Sequence, residues 1–196
     1  MIFLKIVRAD KELRAGNWSG SSFAHKHGGV EVKMTQVVLK KKRILILGYG
    51  RIGKSVALAC KGIGMEVLGI RWERFKIQFF SCLYRNRITA EYEDDIGTKV
   101  YPLAHLDTLL PTCNVLFSTL PGTTQTNGLI DSHKLGLLPK EAIVVNIGRG
   151  SVFVEKDLFD ALNSKHLFGA GLDVWWSYPP KYFHFMFILF FAKYLF

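Results

Sequence analysis

Cysteine, acidic residues and long apolar runs are all scarce in this chain. Its 196 residues hold three cysteines, Cys60, Cys82 and Cys113, set far apart without paired spacing. Neither a disulfide framework nor a zinc site is signalled, and a reducing compartment such as the cytoplasm fits better. Asp and Glu number 16 against 26 Lys and Arg, for a formal charge of +10. That balance suits an anionic partner, whether nucleotide phosphate, small organic acid, nucleic acid or membrane surface. A spanning helix needs about 20 apolar residues, and no stretch supplies them. The start, MIFLKIVRADKEL, is too briefly apolar for a secretory signal and carries Asp10 too early for a typical transit peptide. The end, YFHFMFILFFAKYLF, is interrupted by His184 and Lys193. These features argue against a membrane.

What the chain does have is core-forming material. Hydrophobic residues make up 49% and charged residues 21%, the balance of a globular chain rather than a disordered one. Residues 4–14 carry Ile6, Val7 and Leu13 among charges, a weakly amphipathic helix stopped by Gly16. From Asn17 to Gly29 the composition turns to Gly, Ser and His, as in a loop. The His25 and His27 pair brings no Cys or carboxylate at metal-ligand spacing, so a solvated loop is the expectation.

After Lys40 to Arg43 the pattern becomes regular. Ile44 to Leu47 reads as a continuous buried strand, and Arg51 to Ile63 as a helix with Ile52, Val56, Ala59, Cys60 and Ile63 on its inner face. Further apolar runs are Val67 to Ile70, Asn114 to Thr119, Ala142 to Asn146 and Gly169 to Val174. Between the last two, EKDLFDALNS reads as a helix with Leu158, Ala161 and Leu162 inward. Strands alternating with helices predict an α/β, doubly wound parallel sheet of the Rossmann type, covered on both faces. Residues 74–97 break the regularity, and there only ITAEYEDD looks helical. The last 16 residues hold six phenylalanines without periodicity. The chain thus divides into a lead-in at 1–41, a regular domain at 42–180 with an irregular insertion at 74–97, and an aberrant apolar tail at 181–196. The aromatic-rich segments near Lys76 to Asn86 and after Pro180 read as translated non-coding sequence or gene-model errors.

The turn GYGRIG sits after a strand and opens a helix, which is the context that gives this spacing its chemical meaning. Gly48 permits the tight exit from the strand, Gly50 lets backbone approach a pyrophosphate, and Gly53 lets the helix pack closely on the strand. The helix start directs free N–H groups and its positive dipole end at the phosphates. A glycine turn packed for purely structural reasons is the alternative. About 20 residues on, such sites end their second strand with an acid that bonds the adenosine ribose. Here that place is held by Arg71, followed by Trp72, Glu73 and Arg74. A guanidinium cannot accept from a hydroxyl, but it pairs with a 2′-phosphate and stacks on adenine. NADP is therefore preferred, with NAD possible if Arg71 is a solvated cation and Glu73 takes the ribose.

Four motifs in order, ILGYGRIG, LPGTTQTNGLID, AIVVNIGRGSVFVEKDLFDAL and GAGLDV, span residues 42–180 and carry a family resemblance. Together they resemble the D-isomer-specific 2-hydroxyacid dehydrogenases, the group of phosphoglycerate dehydrogenase and the glyoxylate and hydroxypyruvate reductases. The resemblance implies that Arg51 and Ile52 lie against the pyrophosphate and that Pro121 and Thr126 line the cofactor cleft. It also implies that Ile147 and Gly148 border the nicotinamide, that Asp173 holds its carboxamide, and that Arg149 is the catalytic arginine. A planar 2-oxo acid carboxylate suits the Arg149 fork.

Two features depart from the family pattern. The Glu expected before the prolines after LDV is replaced by Tyr178, and the later proline-histidine segment with the general acid is missing. A tyrosine, with an ordinary pKa near 10, cannot raise a histidine pKa as a carboxylate does. His184 lies in an apolar run and is a poor substitute. The front is short as well, and VRADKELRAGNW resembles only the end of the helix that enters the cofactor domain. The expectation is a truncated chain with remnants of the second, substrate-binding domain. Three functions follow for testing. One is hydride transfer from NAD(P)H to a small 2-oxo acid such as glyoxylate or hydroxypyruvate. Another is a weak or inactive nucleotide-binding fragment that pairs with itself or with full-length relatives, the resemblance implying a homodimer through the cofactor domain. The third is a basic nucleic-acid binder, which no helix-turn-helix, zinc or RNA-reading motif supports.

Overall fold

The computed structural model describes residues 24–27, 30–33, 39–71 and 90–177. Among these, the residues from Lys40 onward form one compact unit, while the two short strands before it belong to another. Those strands, β1 (Ala24–His27) and β2 (Val30–Lys33), pair antiparallel with His27 opposite Val30. The loop expected around His25 and His27 is thus a strand. Two four-residue arms about Gly28-Gly29 are a hairpin signal that the polar composition concealed. Among the described residues no group of three or more His, Cys, Asp or Glu could hold a metal.

The compact unit is built on seven strands: β3 (Arg43–Leu47), β4 (Glu66–Arg71), β5 (Tyr92–Glu93), β6 (Lys99–Pro102), β7 (Val115–Ser118), β8 (Ala142–Asn146) and β9 (Leu167–Leu172). Their order is β5-β6-β4-β3-β7-β8-β9, with every neighbouring pair parallel except β5 and β6. The chain winds outward from β3 in one direction and then from β7 in the other, the doubly wound Rossmann arrangement. Ile44, Leu45, Ile46 and Leu47 are all at most 2% exposed. Burial on both faces explains why β3 is an unbroken apolar run instead of an alternating one. Each such side chain contributes roughly 1.5–3 kcal/mol of transfer free energy.

Among the described residues four α-helices connect the strands: α1 (Arg51–Gly62), α2 (Leu106–Leu109), α3 (Ser132–Leu137) and α4 (Glu155–Asn163). In α4, Leu158 and Leu162 face the core, as the sequence predicts. In α1 the face differs. Gly53 and Ala57 are buried, whereas Ile52, predicted inward, is 60% exposed and Ile63 is 40% exposed. Close packing explains the change: a Cβ at Gly53 would lie 2.8 Å from the Gly48 carbonyl oxygen and 3.1 Å from Ile46 Cγ2. The helix lies so near β3 that only its smallest residues fit beneath it.

A second correction concerns ITAEYEDD. Instead of a helix, Tyr92–Glu93 is a strand antiparallel to β6, followed by a turn. Asp94 Oδ1 accepts from the Thr98 and Ile96 amides at 2.8 and 3.2 Å. A short acidic side chain that bonds nearby backbone in this way competes directly with helix formation. β6, α2 and α3 have no counterpart in the sequence reading because four to six residues are too few to display a period. The boundaries of α3 come instead from Asp131, whose side chain accepts from the Lys134 amide at 3.0 Å. Residues 4–14, Trp72, Glu73, Arg74, Tyr178, His184 and the tail at 181–196 lie outside the described residues.

Candidate functional site

Because β3, β4, β7, β8 and β9 run parallel, their C-terminal ends share one edge of the sheet. The predicted residues Gly48, Gly50, Arg51, Ile52, Gly53, Arg71, Pro121, Ile147, Gly148, Arg149 and Asp173 all follow or end those strands. Ligands of open parallel sheets bind at this edge, where the winding reverses, here between β3 and β7. The edge is stitched by side-chain and backbone bonds. Thr119 Oγ1 donates to Gly48 O at 2.6 Å, Ile147 N to Ser118 O at 3.1 Å, and Asp173 N to Asn146 O at 3.0 Å.

The glycine turn presents donors. Gly48 N and Tyr49 N both donate to Ile70 O, at 2.9 and 2.7 Å, and Gly50 N donates to Gly48 O at 2.8 Å. The first bond of the helical ladder is Lys54 N to Gly50 O at 2.9 Å. Arg51, Ile52 and Gly53 therefore direct their N–H groups outward from the start of α1 with no acceptor in the helix. Gly50 is the N-cap and offers no capping side chain, and a Cβ placed on it would meet nothing within 4 Å. An open space faced by free amides at a positive dipole end fits a phosphate group.

Arg71 closes β4, is exposed, and its Nη1 lies 3.4 Å from the Tyr92 hydroxyl. Arg149 follows β8, also exposed, with Nη1 donating to Gly148 O at 2.8 Å. Its loop is fixed by Asn146, which is fully buried: Nδ2 donates to Arg149 O at 2.9 Å and Oδ1 accepts from Gly148 N at 3.1 Å. A Cβ on Gly148 would lie 2.3 Å from Leu120 O, so this loop presses directly on the β7 end. Thr126 is turned inward, 1% exposed, and donates to Pro121 O at 2.6 Å while accepting from Thr123 N at 2.8 Å. It shapes the turn after Pro121, leaving Pro121 itself exposed.

Sequence reasoning passed over Tyr49, Asp94 and Asn146. Tyr49 is 5% exposed, and its hydroxyl donates to Asp94 Oδ2 at 2.6 Å. Burial, and next the Asp94 carboxylate, push its phenol well above the ordinary tyrosine range. Burial would raise Asp94 in turn, but the bonds from Tyr49 and from the Thr98 and Ile96 amides outweigh it and hold the carboxyl below its usual range. A signal for Asp94 was present in DDIGT, an Asx-turn sequence with Gly97. Tyr49 gives none, since its partner is 45 residues away.

Comparison with known proteins defines the class to which this fold and edge belong. The NAD-binding domain model of the D-isomer specific 2-hydroxyacid dehydrogenases matches residues 1–187, and the chain belongs to that family. Family members are oxidoreductases acting on a CH–OH group. Over 177 residues the chain is 31% identical to D-3-phosphoglycerate dehydrogenase of Archaeoglobus fulgidus, covering 90% of this chain and 28% of that one. Over 176 residues it is 34% identical to glyoxylate/hydroxypyruvate reductase B of Pectobacterium carotovorum subsp. carotovorum, covering 89% and 47%. A 2-hydroxyacid dehydrogenase from Xanthobacter autotrophicus Py2, solved in complex with NADPH and MES, superposes with a TM-score of 0.63 at 25% identity, covering 90% and 47%. The chain thus spans half or less of the length of these relatives. Among the described residues no helix is long and apolar enough to cross a membrane.

Proposed function

We propose that this domain holds NADP in preference to NAD and serves the reduction of a small 2-oxo acid, such as glyoxylate or hydroxypyruvate, to its 2-hydroxy acid. One observation carries the reading: the free amides of Arg51 to Gly53 face open space beside Gly50, on the edge that also bears Arg71 and Arg149. The amides would hold the pyrophosphate and Arg71 the 2′-phosphate. Ile147 and Gly148 would border the nicotinamide, and Asp173 would orient its carboxamide. When bound, the dihydronicotinamide supplies the hydride. Arg149 would grip the substrate carboxylate and polarise the adjacent carbonyl through charge-assisted bonds.

Binding without turnover is a second reading for these 196 residues, supported by the sequence after Asp173. The family resemblance implies, before the prolines after Asp173, a carboxylate that supports the general acid, and Tyr178 stands there instead. A positioned acid contributes typically about 10²- to 10⁴-fold. Titrating the chain into NADPH and NADH while following nicotinamide fluorescence, then adding glyoxylate or hydroxypyruvate, separates the readings. Tighter NADPH binding with little or no oxidation is expected. Tighter NADH binding would overturn the role given to Arg71, and binding of neither would overturn the pocket. Self-association through this domain belongs to the same proposal, with exposed Ile52 and Leu58 on α1 and Ile63 just after it as apolar surface. Sedimentation velocity showing a monomer at micromolar concentration would sink it.

A further inference from the structure

The residue between the first two turn glycines has a place in the fold that the motif does not require. Tyr49 is enclosed by two features from distant parts of the chain. Its ring fills the space left by the missing side chain of Gly69 on β4, where a Cβ would lie 2.6 Å from Tyr49 Cδ2 and 2.7 Å from Cγ. Its hydroxyl reaches Asp94 at the head of the β5–β6 turn. Asp94 is in turn fixed by the Ile96 and Thr98 amides. The same turn is fastened further along α1, where Lys61 Nζ donates to Ile96 O at 2.6 Å and Lys54 pairs with Asp95. The β5–β6 hairpin therefore grips the glycine turn and α1 at three points, while Tyr92 from its first strand faces Arg71.

The physical need for such a grip is local. Gly48 and Gly50 gain the most conformational freedom of any residues when unrestrained, and Gly48 sits at φ +97°. Backbone bonds to Ile70 anchor the turn toward β4 and Thr119 Oγ1 anchors Gly48 O toward β7, but neither holds the Tyr49 side chain. Tyr49 carries the one side chain within it, so a fixed Tyr49 fixes the direction in which the amides of Arg51 to Gly53 point. We infer that Tyr49, held by Asp94 and seated on Gly69, is a positioning residue for the cofactor pyrophosphate. The inference rests on the cofactor reading above, and it assigns Tyr49 a role separate from the amides themselves.

The test compares two ligands that share the adenosine and 2′-phosphate, of which only NADPH carries the pyrophosphate and the nicotinamide riboside beyond it. NADPH and adenosine 2′-monophosphate are titrated by calorimetry into the 196-residue chain and its Y49F and D94N variants, with thermal melting measured alongside. Y49F is expected to raise the NADPH Kd about five- to tenfold, within the net worth of one hydrogen bond, and to leave adenosine 2′-monophosphate within about twofold. D94N, which can still accept from the Ile96 and Thr98 amides, is expected to show a smaller rise in the same direction. Parallel weakening of both ligands would reveal a merely structural role and overturn the inference. So would unchanged NADPH affinity in both variants. Wild-type chain that binds no NADPH overturns the cofactor reading and this inference with it, whereas wild-type binding that neither variant alters overturns this inference alone.

Discussion

At the scale of single residues, Arg71, Gly50 and Asp94 separate ligand binding from stability. Arg71 is exposed at the end of β4 with one long contact to Tyr92, so replacing it leaves the core untouched. R71A is expected to raise the NADPH Kd by about 10- to 100-fold, the range for losing bonds between charged groups, and to leave NADH nearly unchanged. Parallel titrations of both nucleotides check this, and an equal loss for both would remove the basis for the NADP preference. Gly50 offers the opposite contrast to a core position. G50A adds a methyl to open space, so thermal unfolding should shift by no more than about 0.5 kcal/mol, while the methyl should obstruct the pyrophosphate and raise the NADPH Kd at least about tenfold. Asp94 supplies a pH dependence. Its folded pKa lies below the ordinary value, so its stabilising contribution is complete above that value and lost as pH falls through the folded one. Melting temperatures of wild type should therefore fall more steeply than those of D94N between about pH 5 and pH 3.

At the scale of elements, the buried apolar strands and the glycine turn were legible, and the short strands β1, β2, β5 and β6 were not. Ile44 to Leu47, Val67 to Ile70 and Ala142 to Asn146 stand out because a strand covered on both faces must be apolar throughout. The helix at 51–63 was recognised, but its buried face was misread, because hydrophobic periodicity assumes that bulk points inward. Here the backbone of α1 approaches β3 so closely that Gly53 and Ala57 take the inner places and Ile52 is displaced outward. G53A should accordingly destabilise by about 1–3 kcal/mol, the usual cost of overpacking, because its Cβ meets backbone at Gly48 O that cannot rotate away. Denaturant unfolding would check it, and a neutral result would mean that α1 can lift from the sheet. In α4, where periodicity and burial agree, L158A should cost about 2–5 kcal/mol because Leu158 is fully buried. ITAEYEDD failed as a helix for a different reason: Asp94 bonds its neighbours' amides and so builds the turn from within.

At the scale of the whole molecule, the winding order converts scattered motifs into one edge. Gly48 and Asp173 are 125 residues apart, yet parallel strands bring both to the C-terminal side of the sheet. The sequence by itself determined the Rossmann class, the place of the glycine turn, and the candidate residues Arg71 and Arg149. Local spacing and apolar runs carry the class, the turn and Arg71, since a phosphate-binding turn needs its glycines at fixed offsets between a strand and a helix, while Arg149 is what the family resemblance implies. Only the tertiary structure decided which face of α1 is buried, that Thr126 is turned inward on Pro121 O, that Asn146 fixes the Arg149 loop, and that Tyr49 is bound to Asp94. Each of those depends on atoms brought together from different positions in the chain. Tyr49 and Asp94 meet because β6 lies beside β4 and its hairpin crosses the start of α1, a juxtaposition with no trace in the order of residues.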